Sequence, residues 1–563
     1  MTLTATRPAS PTGAPSEDLL HAAVLPESPL TTSDHKRIGR YYIAAAVLFV
    51  LVSTVIAVIM EISLTSTGST STLEYDRLFS LHSTSASLLF LPLLFLGLGT
   101  YLVPLQVGAR RLAFPRLQAL AFWGTVVGGL LLLSSYLFGR PNGWGLAYPT
   151  ALPIAHTGAS RATDLWTGSL VLITLCMALA AANLFVTILK LRAPGMTMVR
   201  LPAFSWSILA VSAGILLSAP IFAAGLLLLY LDQHFGGGLF APGQANANLI
   251  WQHTLWLYGR PDVYLVMVPA LGALTDVVST HARRPLFQPV LAKAMIFLAL
   301  ILAFGILASD GGIEKAVLIP TPTVLTLLLA APIGLLLLLW LGTVRPRSLH
   351  AHISLAYVVG FVLLLVAGAV NGVVAPSQHL HGGLSGAGSA WTVGQVHALL
   401  FGAPTLAAFA AIYHWAPKIY GKGLNTLLGA LQLLCLLLGF LATALGHWLA
   451  GYDGAPWHVA TYTGPHASRW ANDAALSSAG GVLVALGLLL FAGNAAITWA
   501  RASQLPEERR PADPYGGASL EWVASSPPPE DNFDTLPEIR SDAPAADWRA
   551  QDNAQAATEG APR

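Results

Sequence analysis

The chain has 563 residues, of which 55% are hydrophobic and 10% charged, with a formal net charge of +2. Soluble domains carry about 25% charged residues, so a water-filled exterior over the whole chain is excluded, and so small a net charge argues against a nucleic-acid partner. The two cysteines, Cys176 and Cys435, lie in separate apolar runs with no metal-binding spacing and read as small buried side chains.

In chain order, residues 1–33 are rich in Pro, Ser and Thr and lack the basic-then-apolar pattern of a signal peptide. They read as a disordered cytoplasmic tail. Apolar runs long enough to span a bilayer, roughly 20 residues each, then recur near 40–61, 80–105, 117–138, 166–190, 203–231 and 248–276. They continue near 290–309, 319–343, 350–374, 391–415, 424–450 and 475–500. About twelve transmembrane helices follow, because lipid cannot satisfy open backbone groups. The fold class is an all-α membrane protein, one domain over residues 34–500. Residues 501–563 are polar, with Pro527, Pro528, Pro529 and several acidic residues, and read as a second disordered cytoplasmic tail.

With the N-terminus in the cytoplasm, about seventeen loop Lys and Arg fall inside and about five outside. An even helix count then puts both termini in the cytoplasm of a multi-pass inner (plasma) membrane protein. In this topology His82 begins the second apolar run, and His397 lies in the first turns of the tenth. Both helices run inward, so both imidazoles sit at similar depth toward the outer face. Two neutral imidazoles at one depth could clamp a heme iron axially, or they could be two hydrogen-bonded core histidines. His156, His253, His379, His381, His447, His458 and His466 fall near the outer side and read as solvated loop or interface residues. His379 and His381 form a His-x-His in a Gly-rich loop, a thin signal for a surface metal site.

Ordered motifs add a resemblance. Thr31-Thr32-Ser33-Asp34-His35-Lys36, Leu78-Phe79-Ser80-Leu81-His82 and Tyr101-Leu102-Val103-Pro104-Leu105-Gln106-Val107-Gly108 precede Ala113-Phe114-Pro115-Arg116. Gly143-Trp144 and Tyr148-Pro149 follow, then Arg192-Ala193-Pro194-Gly195-Met196-Thr197-Met198 with Arg200, Pro202, Phe204 and Trp206. Gln252-His253, Trp256, Gly259, Pro261 and Val263-Tyr264 complete the set. Together they resemble subunit I of type-A heme-copper (cytochrome c) oxidases, from residue 31 to about residue 460. The resemblance implies a twelve-helix bundle in three arcs. It makes His82 and His397 the axial ligands of one low-spin heme per chain, of a or b type. It also implies other oxidase-type membrane subunits as partners, with cytochrome c or another redox donor as the electron source.

The departures from the family pattern are as informative. Arg260 stands where the family has a copper-ligating His, and no His occurs between His281 and His350, where the family has a His-His pair. Gln395 stands where the high-spin heme ligand belongs. A guanidinium stays protonated and an amide is a poor iron ligand, so copper and the second heme are expected to be absent. The family's proton-route residues correspond here to Leu336, Arg111 and Asp262, and its His-Asp pair aligns with Ala387 and Gly388. Its propionate-holding Arg-Arg pair aligns with Trp457 and His458. Tyr264 survives, but without a neighbouring His it is vestigial, so no catalytic residue is assigned. Arg260 is expected to meet either Asp310, on the stretch that replaces the His-His pair, or backbone carbonyls and water in an emptied cavity. The expectation is a respiratory membrane protein with a degenerate active site, either non-catalytic or electron-transferring. The alternative is an active terminal oxidase, proton-translocating, with a rearranged centre.

Overall fold

The computed structural model describes residues 30–65, 70–139, 160–236, 239–240, 262–309, 321–374, 389–502, 513–533, 536 and 538–559. Among these there is no β-strand. The helices are α1 His35–Thr65, α2 Thr72–Leu89, α3 Leu91–Val107, α4 Pro115–Ser134, α5 Arg161–Lys190 and α6 Ala203–Phe235. A π-helical turn Asp262–Met267 leads into α7 Val268–Ala282, followed by α8 Pro289–Ser309, α9 Thr321–Thr343 and α10 Ile353–Val374. Then come α11 Ala390–Val396, a π-helical turn His397–Gly402, α12 Ala403–Tyr420, α13 Thr426–Tyr452, α14 Ala467–Ala502 and α15 Pro544–Glu559.

Ten helical runs among the described residues are long and apolar enough to cross a membrane. Two further apolar stretches, Pro289–Ala303 and Leu328–Thr343, are shorter, so the expected count of twelve is not confirmed. The ends of the helices follow local chemistry. Ser71 Oγ accepts from Glu74 N–H at the start of α2, Ser160 Oγ from Thr163 N–H at α5, and Asn425 Oδ1 from Leu428 N–H at α13. Pro202 has no donor or cap to offer before α6. There the Asp276 carboxylate of α7 accepts from the N–H groups of Ala203 and Phe204, both at 3.0 Å.

Helix α3 is buried along its whole length and forms the centre of the bundle. It is apolar all round, as a surrounded helix must be. Small residues set how closely its neighbours approach. A Cβ on Gly39 of α1 would stand 2.8 Å from Tyr101 Cβ, and one on Gly97 of α3 would stand 2.6 Å from Tyr42 Cβ. Cys176 is buried and Cys435 half-buried, and both are free thiols.

The polar C-terminal region departs from its expected disorder. Residues 513–533 form a strap laid against the bundle, with Tyr515, Leu520, Trp522 and Phe533 buried. Asn532 ties it down: Oδ1 accepts from Lys36 Nζ at 3.2 Å and lies 3.0 Å from His35 Nε2. Its Nδ2 donates to the carbonyls of Ala109 and Arg110. Glu521 Oε1 accepts from Gln106 Nε2 and Trp415 Nε1, each at 3.1 Å. Composition averaged over the tail concealed these few anchors. Of the N-terminal tail, only residues 30–33 are among those described.

Candidate functional site

His82 projects from α2 toward α1. Its Nδ1 lies 3.0 Å from the carbonyl oxygen of Ser53 and 3.0 Å from Ser53 Oγ. A carbonyl only accepts, so Nδ1 carries the proton and Nε2 keeps its lone pair. His397 repeats the arrangement from the first residue of its π-helical turn, with Nδ1 2.8 Å from the carbonyl of Val393. π-Helical turns inside α-helices are often found at functional sites. Here the turn joins α11 to α12, and a Cβ on Gly402 would stand 2.9 Å from His397 O.

The two rings are nearly parallel, with centroids 6.3 Å apart and planes within 9°. Two metal–nitrogen bonds of about 2 Å plus the two ring radii come to roughly 6 Å, so the pair fits one metal held between two Nε2 atoms. Neither Nε2 has a hydrogen-bond partner among the described residues.

A third imidazole joins this pair; from sequence it reads as a solvated loop or interface residue. His447 of α13 lies 5.6 Å from His397, its plane tilted by 12°. Its Nδ1 bonds to the Thr443 carbonyl at 2.9 Å, and its Nε2 lies 3.1 Å from Glu61 Oε1. Both ring nitrogens meet acceptors, as in an imidazolium–carboxylate pair, so His447 has no lone pair to offer a metal. Glu61 is the one acidic residue in the first apolar run, and an intramembrane carboxylate was the signal that could have exposed the pair.

His458, read from sequence in the same way, is buried. Its Nε2 lies 3.4 Å from Asp76 Oδ1, the two side chains are 5% and 4% exposed, and Phe79 packs edge-on at 4.4 Å. Trp457 also lies against Phe79. His466 is exposed beside Trp470, as expected. Gln395 is half-buried on α11, Leu336 is fully buried on α9, and exposed Arg111 pairs with Asp531 of the strap at 3.1 Å. Arg260, Asp310, His156, His253, His379, His381, Ala387 and Gly388 lie outside the described residues. Asp262 and Tyr264 are placed only as backbone of the Asp262–Met267 turn.

Fold and site together define a multi-pass, all-helical membrane protein with a ligand-competent imidazole pair inside the bundle. The family described as Cytochrome C and Quinol oxidase polypeptide I matches residues 37–483, and the chain belongs to it. It is 37% identical over 527 residues to a putative cytochrome c oxidase subunit 1-beta of Streptomyces coelicolor, covering 93% of this chain and 90% of the relative. It is 32% identical to the cytochrome c oxidase subunit 1 of Corynebacterium diphtheriae, covering 92% and 91%. A heme-copper terminal oxidase dimer solved by cryo-EM superposes with a TM-score of 0.62 over 84% of each chain at 15% identity, a likeness of fold. The chain is therefore a cytochrome c oxidase subunit I-like membrane protein.

Proposed function

We propose that this chain binds one low-spin heme, of a or b type, between His82 and His397 and no longer reduces oxygen. The carrying observation is the parallel imidazole pair at 6.3 Å, each Nδ1 tied to a main-chain carbonyl and each Nε2 left open. A six-coordinate heme supplies one-electron transfer and has no free position for oxygen. The protein orients the two rings through Ser53 and Val393. These outer partners fix the tautomer and raise the basicity of the coordinating nitrogens.

Loss of the oxygen centre rests on the sequence: Arg260 and Gln395 replace ligands, and Leu336, Arg111 and Asp262 alter the proton routes. Buried Leu336 and the Arg111–Asp531 ion pair are consistent with that reading. The protein then works as a heme-bearing subunit beside other oxidase-type subunits in the plasma membrane. Both termini are cytoplasmic, and cytochrome c or another redox donor supplies electrons. The competing reading, an active terminal oxidase with a rearranged centre, draws on the names of the relatives and the retained Tyr264.

A pyridine hemochrome assay on purified protein, with a carbon monoxide difference spectrum and elemental analysis, tests the proposal. The expected result is a single six-coordinate heme, no carbon monoxide signal and no stoichiometric copper. A carbon monoxide-binding heme or copper in the chain would favour the active oxidase.

A further inference from the structure

A second group of imidazoles stands apart from the proposed heme site. His414 lies on α12, roughly 25 Å beyond His397 at the helical rise per residue. Around it are His281, at the end of α7, and His350 and His352, in the turn before α10. The rings of His281 and His352 lie 4.6 Å apart with planes within 10°, and His350 lies 6.0 Å from His281. His414 meets His281 edge-on at 5.1 Å, with its Nδ1 3.2 Å from His281 Nε2.

One side chain of the strap touches all four. The Tyr515 ring lies 4.9 Å from His281, 6.4 Å from His350, 4.9 Å from His352 and 5.6 Å from His414. Its hydroxyl is 3.2 Å from His352 Nε2. Trp522 closes one side, 5.3 Å from His414. His281 Nδ1 and His414 Nε2 are buried without a hydrogen-bond partner among the described residues.

No described carboxylate is bonded to these rings. Asp513 accepts from the N–H groups of Tyr515, Gly516 and Gly517 and pairs with Arg549. Glu521 is turned toward Gln106 and Trp415. The other charges near the nest are cations: Arg283, 3.3 Å from His350 Nδ1, and Lys418, which donates to the strap carbonyl of Ala524. Protons added to the nest would repel one another and these cations in a medium of low polarity.

We propose that residues 513–533 form a pH-operated latch, closed on Tyr515 by the four-histidine nest and opened when that side of the membrane is acidified. An imidazole freed into water binds its proton near pH 6.5. In the docked form, burial and the neighbouring His350 lower His352 to about 4. The open form therefore takes up more protons. Docking is strongest above the free imidazole value and is lost as pH falls below it, by up to about tenfold per pH unit for each such imidazole. Glu521 acts in the opposite sense, because burial raises its carboxyl. It is one group against the nest. Opening uncovers the surface around Gln106, Arg111 and the start of α1 that Glu521, Asp531 and Asn532 now cover.

The test is hydrogen–deuterium exchange on the full-length protein in lipid nanodiscs at about pH 7.5 and about pH 5.5, corrected for intrinsic exchange. Strap opening should rise at least about tenfold at the lower pH, while α3 and α12 keep their protection. The His350→Asn/His352→Asn variant, altered only in the turn outside the spans, should show a shallower pH response. Tyr515→Ala should open the strap already at the higher pH. Equal strap protection at both pH values, or an unchanged response in the double variant, would overturn the latch. If the double variant loses helix protection at the higher pH, the wild-type comparison decides alone. Acid loss of strap and helices together in the wild type would mean general unfolding, and would also overturn it.

Discussion

The same helical run carries histidines at two levels, and their surroundings differ in kind. At His397 and His82 the imidazoles are held one by one: each Nδ1 donates to a main-chain carbonyl, and neither Nε2 has a hydrogen-bond partner among the described residues. At His414 the rings contact one another and a tyrosine, and the described bonds within the group pass between side chains. A carbonyl-anchored pair with open lone pairs suits a metal. A crowded group of imidazoles with no carboxylate bonded to it among the described residues suits a response to protons. The residue type is the same; the partner of the other ring nitrogen decides its use.

The sharpest way to break this comparison is at the upper level. His82→Ala or His397→Ala should abolish the low-spin heme signal, because one axial base cannot hold a six-coordinate state. A normal low-spin spectrum in either variant would void the assignment. Next in size is His447→Leu, which leaves Glu61 without its imidazole and should cost about 3 kcal/mol of stability, read as a fall in Tm. Heme content should be kept, since both nitrogens of His447 are engaged elsewhere. Adding Glu61→Gln should recover much of the loss, and heme loss in His447→Leu would make it a ligand. A smaller effect is expected at the strap. Asn532→Ala should cost about 1–3 kcal/mol of docking, because it removes the acceptor of Lys36 Nζ and the donor to the Ala109 and Arg110 carbonyls. Faster limited proteolysis after residue 513 at neutral pH would register it. Smallest is Glu521→Gln, which removes the one opposing titration and should steepen the pH response of strap exchange without moving the heme spectrum.

Much of this was legible in the sequence. Lipid demands long apolar helices, so the runs announced the bundle, and the family motifs announced its kind. The matched depth of His82 and His397 followed from helix direction alone, and the structure brings those two rings together. The placement of His447 and His458 was misjudged because loop proximity was taken for exposure. Each faces a carboxylate on a helix far away in sequence, Glu61 and Asp76, and such long-range contacts are invisible in a hydropathy pattern. The strap was misjudged because a polar, proline-rich composition says nothing of a few residues that fit a preformed surface.

The sequence by itself determined that the chain is a bundle of long apolar helices, the family, and which residue types stand at each family position. Those are properties of local composition and order, fixed by the cost of moving each residue into lipid. Only the tertiary structure decided which side chains meet: Tyr515 with His352 across 163 positions, His414 with His281 across 133, and Asn532 with His35 across 497. Contacts of that range depend on how helices rotate and pack against one another, as where Gly39 and Gly97 let α1 and α3 approach closely.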